Sequence, residues 1–370
     1  MLRYGIIGAG SMGREHIENI KIMGGASVTA IADPNQGSRD LASKVAGSSP
    51  KLFENYQDLL ESNLVDAVVI ATPNDTHVNV LEAALATDIA VFIEKPLATT
   101  VADCKKIIDW DSKRKALTWM GLEYRFMPPV NEVIQRSKNG AVGKVHQVSI
   151  REHREPFYPK VDNWNRFTKR TGGTLVEKCC HYFNLMDLII GSTPEKVYAS
   201  GGQNVNFLDE NYDGVPADML DNAFVILDYK NGIRAMLDLC MFAEGSYDKE
   251  ILTVVGDEGK LESFLPSMNV RYSRREDWGK ASAWGGQTGT GKGSEVKQII
   301  DLSVKYLGHH YGASYIEHVK FHNAIKAGIN KPEVTLEDGL RSVATGLAAH
   351  KSIDEGRPVL MSEILPAGWN

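Results

Sequence analysis

A glycine-rich turn near the start of the chain carries the first chemical signal in this sequence of 370 residues. Residues 8–13 read GAGSMG, follow the apolar run Tyr4–Ile7 and precede a segment with helical periodicity. A G-x-G-x-x-G sequence at a strand-to-helix turn is typical of a dinucleotide site, where backbone N–H groups and the positive end of the helix dipole face the pyrophosphate. Gly8 would allow the tight turn, Gly10 the approach of the pyrophosphate, and Gly13 the packing of helix on strand.

Asp33 follows the second predicted strand, Val28–Ala32, and lies twenty residues after Gly13. An acid at about this spacing binds the ribose diol of a dinucleotide, and its charge repels a 2′-phosphate. The sequence therefore favours NAD over NADP, although Arg39 is near enough along the chain to offset part of that repulsion. The alternative is an ordinary βα turn, with Asp33 as a turn residue before Pro34.

Two further loops follow predicted strands, and the carboxyl ends of parallel strands are where open α/β sheets bind ligands. Residues 72–77 (TPNDTH) follow Asp66–Ala71, and Glu94-Lys95-Pro96 ends the run Ala90–Glu94. We expect partial burial to lower the pKa of Lys95, and a Lys bound to a hydroxyl can stabilise a developing alkoxide. A solvated loop Lys fits the spacing equally well. The predicted cofactor contacts are Gly8, Gly10, Ser11, Met12, Gly13, Asp33, Thr72, Pro73, Asn74, His77, Glu94 and Lys95.

An acid and an imidazole lie in the predicted helix Thr174–Ile190, directly after Gly172-Gly173. Glu177 and His181 are four residues apart, so on one helix they share a face. We predict that the Glu177 carboxylate holds one ring N–H of His181 and leaves the other nitrogen free to take a hydroxyl proton. A solvent-side Glu–His pair on a helix surface is the alternative.

Residues 151–178 hold seven Lys and Arg side chains against four carboxylates. Arg151 and His153 alternate along a predicted strand and would share one face of its sheet. We predict that part of this basic set lines a pocket for an anionic or densely hydroxylated sugar, because Arg pairs well with carboxylate and sulfonate oxygens. A solvated basic loop or a subunit contact is the alternative. The predicted substrate contacts are Tyr124, Arg125, Arg151, His153, Trp164, Arg166 and Lys178.

The pattern of apolar runs changes at about Glu123. Before it, fully apolar strand-like runs alternate with helical segments, which predicts βαβ units and a parallel sheet covered on both faces. After it, strand-like runs follow one another, and Asn231-Gly232 separates two of them as a hairpin turn, which predicts an antiparallel sheet. These later runs are Val145–Arg151, Glu195–Ala199, Ala223–Tyr229, Ile233–Met241, Ile251–Val255, Lys260–Phe264 and Asn269–Ser273.

The predicted fold class is therefore α/β, with an N-terminal doubly wound parallel sheet and a C-terminal α+β domain that has a large, mostly antiparallel open sheet. We place a cofactor-binding domain at residues 1–122 and a domain for substrate binding and oligomerisation at residues 123–370. Because the second sheet would leave one face without helices, we expect a homodimer or homotetramer that buries this face. The glycine-rich stretch Trp278–Gly293 predicts a long loop.

Composition and charge argue against several other classes of protein. A formal net charge of −6 is unsuited to a binder of nucleic acid or anionic membranes. The sequence has no run of about eighteen apolar residues, so we predict no membrane span. Four cysteines in this length make no disulfide framework, and adjacent Cys179-Cys180 point to different helix faces, so we predict no metal site. Strand-like residues begin almost at Met1, leaving no room for a signal peptide, and we expect a cytoplasmic protein.

Taken together, the motifs resemble those of the glucose–fructose oxidoreductase/inositol dehydrogenase/MocA family. They are residues 8–13, Asp33, Glu94-Lys95-Pro96, and Gly172-Gly173 with Glu177 and His181. The resemblance covers essentially the whole chain, including Val334–Gly339 and Gly356–Val359 near its end. It implies an N-terminal Rossmann domain, a C-terminal sheet that also mediates dimers or tetramers, a tightly bound nicotinamide cofactor, and polyol or sugar substrates.

The resemblance also implies roles for individual residues. Lys95 and His181 would contact the reacting hydroxyl, supported by the acid one helical turn before the His. The chain has Glu177 where the family usually has Asp, and Asn184 where a second Asp is frequent. Lys178 is a further unusual neighbour of His181.

Three functions fit these residues. The first is an NAD-dependent dehydrogenase of a secondary hydroxyl in a sugar, sugar acid or cyclitol. The second is an NAD-dependent glycoside hydrolase, acting by transient oxidation, elimination, hydration and re-reduction, on a sulfonated or uronic sugar for example. It would need a further acid or base, for which Glu177, Tyr124 or His153 would serve. The third is a non-catalytic cofactor-bound regulator, against which Lys95 and His181 argue.

Overall fold

The structure, a computed structural model, describes residues 1–278, 293–365 and 368. The predicted loop at residues 278–293 lies outside the described residues except for its two ends. Within the described ranges, no helix has the length and apolar character needed to cross a membrane. The helices there are α1 (Ser11–Met23), α2 (Gln36–Ala46), α3 (Tyr56–Glu61), α4 (His77–Leu85), α5 (Val101–Asp111), α6 (Pro128–Lys138), α7 (Thr168–Thr171), α8 (Thr174–Glu177), α9 (Cys180–Ile190), α10 (Ala313–Lys326) and α11 (Leu336–Glu355).

A parallel sheet of six strands forms the centre of the N-terminal half. Its strands are β1 (Leu2–Ile7), β2 (Ala26–Ala32), β3 (Lys51–Phe53), β4 (Ala67–Ile70), β5 (Ala90–Glu94) and β6 (Thr118–Gly121). The order β3-β2-β1-β4-β5-β6 is that of a Rossmann fold, and it reverses between β1 and β4, where such sheets bind ligands. Every residue of β4 and β5 is buried, which explains their continuous apolar sequences. The predicted doubly wound sheet is confirmed.

The sequence analysis predicts neither helix α2 nor strand β3 in this N-terminal half. Residues Ser38, Arg39, Ala42 and Ala46 form the buried face of α2, and such small or polar residues give no apolar periodicity. Strand β3 has three residues, which is too short for a pattern to be recognised.

A mostly antiparallel sheet of nine strands dominates the C-terminal half, as predicted. Its strands are β7 (Val145–His153), β8 (Pro194–Gly202), β11 (Asn222–Tyr229), β12 (Arg234–Cys240), β13 (Glu250–Gly256), β14 (Gly259–Leu265), β15 (Asn269–Arg274), β16 (Glu295–Gln298) and β17 (Val359–Leu360), while β9 (Asn211–Tyr212) and β10 (Val215–Pro216) pair separately. The order is β16-β15-β14-β13-β7-β12-β11-β8-β17, and only β7 and β12 pair in parallel among these neighbours. The predicted strands omit the short β9, β10, β16 and β17.

Helices α6, α9 and α11 pack against one face of this large sheet. On β11, Val225 points to the helices and is buried, whereas Phe224 and Ile226 point away and are 59% and 46% exposed. Tyr198 and Met236 flank Ile226 in register on the neighbouring strands and are also exposed. The face opposite the helices therefore carries a row of exposed apolar side chains.

The sequence predicts one continuous helix over Thr174–Ile190, and the structure shows that this helix is interrupted. The segment forms two helices, α8 and α9, separated by a turn at Lys178 and Cys179. The ammonium of Lys178 lies 2.9 Å from Glu152 Oε1 and donates to the hydroxyl of Tyr124. These contacts come from β7 and from the turn after β6, so no local periodicity encodes them.

A buried arginine, Arg125, joins the turn after β6 to α9 and α11. Its guanidinium donates to Asn184 Oδ1 at 2.6 Å and to the carbonyl of Glu333 at 3.3 Å, and lies 3.4 Å from Asp338 Oδ2. Asp338 also accepts the backbone N–H of Thr335 in the capping box that begins α11. This contact therefore fixes the start of α11 relative to the parallel sheet.

Replacing Arg125 with Met should lower the free energy of unfolding by about 2–3 kcal/mol, because buried acceptors lose a charged donor. Urea unfolding followed by circular dichroism measures the change. The control is Arg3→Met, which removes an exposed ion pair with Asp66 (side chains 44% and 35% exposed) and should lower the free energy of unfolding much less, because solvent screens exposed pairs. Equal losses for the two variants would contradict the role assigned to Arg125.

Candidate active site

The turn between β1 and α1 has the shape of a phosphate cradle. Gly8 has φ +93°, and a Cβ there would overlap the carbonyl of Ala71. A Cβ at Gly13 would overlap the Gly8 carbonyl, so both positions require glycine. By contrast, among the described residues other than its chain neighbours, none has an atom within 4 Å of a Cβ built at Gly10, the N-cap of α1. Within the described chain no side chain caps this N-terminus, so its N–H groups face open space that suits an anion.

The carboxylate of Asp33 is held beside this cradle. Its Oδ2 accepts the backbone N–H of Ala9 at 2.7 Å, and its Oδ1 accepts that of Asn35 at 2.8 Å. The guanidinium of Arg39 is turned away, because it donates to the carbonyl of Asp33 and to the side chain of Gln36. A fixed carboxylate at the carboxyl end of β2 is the group expected to bind a ribose diol.

A cavity of 670 Å³ extends from the cradle to the second domain. Among the predicted cofactor contacts, all except Gly13 and His77 line it. The second domain contributes Pro159, Lys160, Val161, Asp162, Trp164, Arg170 and Glu177. The open helix N-terminus, the fixed acid and the size of the cavity together fit a nicotinamide dinucleotide.

His77 lies behind the cavity rather than in its wall. Its Nδ1 is 2.8 Å from the carbonyl oxygen of Pro96, and its Nε2 is 3.0 Å from that of Thr72. Burial lowers the pKa of His77, and the two carbonyl contacts oppose that shift. The residue joins the loop after β4 to the loop after β5, and its predicted contact with the cofactor is indirect.

Lys95 reaches from the first sheet to the second domain. Its ammonium donates to the backbone carbonyl of Glu177 at 2.8 Å and lies 3.7 Å from the carboxylate of the same residue. Burial by itself lowers the pKa of Lys95, but the nearby charges, that of Glu177 first among them, raise it above its usual value. The expected lowered pKa is therefore wrong, and Lys95 is a permanent ammonium donor.

Glu94, the residue before Lys95, is an ionised carboxylate within the protein interior. Its Oε1 lies 2.8 Å from Nε2 of His16, and its Oε2 accepts the backbone N–H of Lys95 at 3.0 Å. Burial is the largest single effect and raises the pKa of Glu94, but the hydrogen bond with His16 and the charges of His16, Lys95 and His310 together outweigh it, and the pKa falls to about 2. The retained negative charge helps to keep Lys95 protonated.

His181 is buried and neutral. Its ring stacks on that of Tyr124 with centroids 3.9 Å apart and an angle of 6° between the planes. Within the described residues, its Nδ1 has no hydrogen-bond partner, and its Nε2 lies 3.8 Å from Oε1 of Glu123. Burial and then the charges of Lys95 and Lys178 lower the pKa of His181 well below its usual value. A neutral imidazole with an unpartnered nitrogen is a proton acceptor.

The sequence predicts that the Glu177 carboxylate holds His181, and this prediction is wrong. The carboxylate of Glu177 instead accepts a hydrogen bond from Asn74 and lies beside the Lys95 ammonium. The break between α8 and α9 is the physical reason, because the two residues no longer lie one turn apart on a continuous helix. Glu177 thus positions Lys95, and Glu123 is the carboxylate near His181.

Arg151 and His153 share a sheet face, as predicted, but it is the face away from the site. Strand β7 alternates, so that Glu152 points inward to Lys178 while His153 Nε2 lies 3.0 Å from Asp238 on β12. Periodicity indicates which residues share a face and not which face meets the substrate.

Arg166 and Arg125 are also predicted substrate contacts, and the structure uses both to connect protein segments. Arg166 is buried, with its Nε 2.6 Å from Oε2 of Glu210 and its guanidinium 3.8 Å from the ring centre of Phe207. Arg125 is bound to Asn184 as described above. The remaining predicted contacts lie at the site: Trp164 lines the cavity, and Tyr124 and Lys178 adjoin His181.

Glu123 and His310 belong to the site and are absent from the sequence prediction, whereas Lys160 and Arg170 in the cavity wall belong to the basic set at residues 151–178, part of which the sequence predicts to line a pocket. Glu123 follows β6, so the reasoning applied to the loops after β4 and β5 would have found it. His310, whose Nδ1 lies 3.4 Å from Oε1 of Glu123, precedes α10 and carries no local signal. No group of three or more His, Cys, Asp or Glu residues that could hold a metal occurs among the described residues.

Comparison with known proteins places this architecture in a family. Residues 2–122 match the model "Oxidoreductase family, NAD-binding Rossmann fold", and residues 136–361 match "Oxidoreductase family, C-terminal alpha/beta domain". Myo-inositol 2-dehydrogenase of Thermotoga maritima is 28% identical over 368 residues, covering 98% of this chain and all of the relative. Inositol 2-dehydrogenase of Rhizobium meliloti is 29% identical over 263 residues, 70% of this chain and 74% of the relative.

A solved structure of levoglucosan dehydrogenase in complex with NADH shares the fold. The TM-score is 0.82 at 19% identity, covering 97% of this chain and 99% of the other. With both family models matched across the two halves, the chain belongs to the glucose–fructose oxidoreductase/inositol dehydrogenase/MocA family of oxidoreductases and has its NAD-binding Rossmann domain.

Proposed function

We propose that this protein is an NAD-dependent dehydrogenase that oxidises a secondary hydroxyl of a sugar, a sugar acid or a cyclitol. The observation that carries the proposal is the contact of Lys95 with Glu177, four residues before His181, at a cavity that fits a dinucleotide. A relative over the whole chain bears the name myo-inositol 2-dehydrogenase, which supports the same substrate class.

The two central side chains have complementary roles in this reaction. Lys95 stays protonated, so it donates to the substrate oxygen and stabilises the negative charge that develops there. His181 is neutral and accepts the hydroxyl proton. Glu177 and Asn74 hold the ammonium in place, and Tyr124 fixes the ring plane of His181. When bound, the nicotinamide cofactor supplies the acceptor for a hydride from the carbinol carbon.

The preference for NAD over NADP rests on Asp33. Its carboxylate is fixed by two backbone N–H groups at the place where a 2′-phosphate would come close. Arg39, the cation that could have offset its charge, is bound to the carbonyl of Asp33 and to Gln36. The charge of Asp33 thus repels a 2′-phosphate, while Arg14, which lines the same cavity, donates to the carbonyl of Ala9.

A sugar acid is included in the substrate class because cations and an aromatic ring line the cavity. Lys160 Nζ lies 4.8 Å from the ring centre of Trp164, and both residues belong to the cavity wall together with Arg170. An ammonium beside an aromatic face suits a sugar that carries a carboxylate.

Glycoside hydrolysis by transient oxidation has less support from the arrangement of the side chains. Of its three candidate acid–base residues, His153 lies on the outer sheet face and Glu177 is bound to Asn74 and Lys95. The third, Tyr124, has its hydroxyl occupied by Lys178. We therefore propose net oxidation, in which NADH accumulates with each product molecule.

We also propose that two or four copies associate through the exposed face of the large sheet. The row formed by Tyr198, Ile226 and Met236 would otherwise leave apolar surface in water. The division of the chain at residue 122 and the cytoplasmic location stay predictions.

Replacing Lys95 with Met, or His181 with Asn, should lower kcat by about 100-fold or more, because each change removes a group that acts on the hydroxyl proton or the developing alkoxide. NADH absorbance with myo-inositol, D-glucose and D-glucuronate measures turnover, and titration of protein fluorescence measures NAD binding, which should persist. The control Lys106→Met alters an exposed lysine paired with Asp103. Near-normal turnover in either site variant would refute its role.

Replacing Asp33 with Ser should shift the ratio of kcat/KM for NAD and NADP toward NADP, because the charge that repels the 2′-phosphate is lost. The matched control is Asp40→Ser, which changes another acid of the same region that binds Gln36. An unchanged ratio in the Asp33 variant would place the specificity determinant elsewhere.

Replacing Ile226 with Lys should dissociate the oligomer, because a charge at the centre of a buried apolar contact is costly. Sedimentation velocity of the wild-type and variant proteins gives the mass of each. A wild-type monomer, or a variant with the same mass as a wild-type oligomer, would contradict an interface at this face.

A further inference from the structure

Oxidation of a secondary hydroxyl releases one proton per turnover, and His181, which takes it, is 2% exposed. The imidazolium formed there would be buried next to the ammonium groups of Lys95 and Lys178, which disfavour it. The proton must therefore leave His181 before the next turnover. Solvent does not reach the ring directly, so the question is which side chains carry the proton out.

A row of ionisable side chains runs from His181 to the protein surface. Oε1 of Glu123 lies 3.8 Å from Nε2 of His181 and 3.4 Å from Nδ1 of His310. The same Nδ1 lies 3.8 Å from Oε1 of Glu15 and is also hydrogen-bonded to the hydroxyl of Ser314 at 3.2 Å. Oε2 of Glu15 lies 3.6 Å from Nε2 of His309, whose side chain is 78% exposed. We call Glu123, His310, Glu15 and His309 the exit row.

The exit row connects three separate parts of the fold. Glu123 begins the turn after β6, Glu15 lies on α1, and His309 and His310 precede α10. The Glu15 carboxylate also accepts the backbone N–H of His309 at 3.0 Å, which holds this segment against α1. The row therefore has a fixed geometry that starts at the catalytic imidazole.

The cost of burying these groups argues against a purely structural role. Glu123 and Glu15 are 3% and 4% exposed, and one oxygen of each has no hydrogen-bond partner among the described residues. A buried carboxyl oxygen left without a partner costs about 1–3 kcal/mol. Apolar side chains would join the same segments without this cost, so the ionisable groups have another use.

We propose that the exit row carries the substrate's hydroxyl proton from His181 through Glu123, His310 and Glu15 to His309 and solvent. The inference rests on the proposed dehydrogenase function. In each transfer an N–H or O–H bond breaks as the next one forms. No group is oxidised or reduced in these steps, and one proton leaves per turnover. The gaps are 3.4–3.8 Å, and hydrogen bonds that transfer protons in catalysis are often this long before the substrate binds.

The pKa shifts within the exit row favour transfer of a proton along the row over its retention on one member. Burial raises the pKa of Glu123 and of Glu15, and burial lowers that of His310 to about 3. Each inner member thus favours its neutral form, so a charge does not stay on any of them. His309, the exposed end, meets water directly.

The test separates hydride transfer from proton release. NADH absorbance and a pH indicator are followed together in stopped flow, with whichever of myo-inositol, D-glucose and D-glucuronate the wild-type enzyme oxidises. In His310→Ala and Glu15→Gln, proton release should lag behind the first NADH formed, and kcat should fall about 100-fold. Imidazole added to His310→Ala should restore both. Asp187→Asn, which changes a carboxyl group on α9 bound to the hydroxyl of Tyr229, is the matched control and should behave as wild type.

A second measurement needs neither cofactor nor substrate. Nitrogen-15 NMR of histidine-labelled protein reports the ring protonation of each imidazole. Glu123→Gln should shift the ring signals of both His181 and His310, whereas Asp187→Asn should shift neither.

The outcomes distinguish the two proposals. If the wild-type enzyme forms no NADH with any of these substrates while binding NAD, the proposed function fails. If it forms NADH and both row variants release protons in step with NADH, the exit row is refuted and the dehydrogenase stands. A slow His310→Ala variant that imidazole does not restore also refutes the row, because it reports a structural defect.

Discussion

The hydrogen bond from the Lys95 ammonium to the backbone carbonyl of Glu177 is the interaction on which the rest of this site depends. It joins the end of a strand in the parallel sheet to the end of α8 in the second domain. Because the acceptor is a main-chain carbonyl, the contact persists whatever side chain stands at position 177. The Glu177 carboxylate then adds charge beside the ammonium, and Asn74 orients that carboxylate. Both domains must therefore be folded and docked before the amine is correctly placed.

Burial gives the two central groups their opposite protonation states. Desolvation alone would neutralise both an amine and an imidazole. Lys95 escapes because carboxylates, including an ionised Glu94, surround it, whereas His181 has two ammonium groups as its charged neighbours. One site thus combines an ammonium donor with a neutral imidazole that can accept a proton, although both residue types are basic. The distribution of acids around them determines their chemistry.

The sequence predicts well what depends on local geometry. The glycines of residues 8–13 and the acid at the end of β2 could be recognised from the sequence. A tight turn, close packing of a helix on a strand, and the end of a strand each require particular residue types near one another in the chain. The two sheets follow from the periods of their apolar residues. The failures concern quantities that only the tertiary structure sets. The helix break at Lys178 depends on Glu152, and the pKa of Lys95 depends on Glu177, contacts that no local pattern encodes.

Strand β7 illustrates how closely two surfaces of this protein are coupled. Glu152 points into the site, while its neighbours Arg151 and His153 point to the outer face of the sheet. A deletion or insertion of one residue upstream in this strand would exchange the two sets, giving the interior two basic side chains and the outer face an acid. Evolution of this segment is therefore confined to substitutions, since a change in length would alter the inner site and the outer surface in a single step.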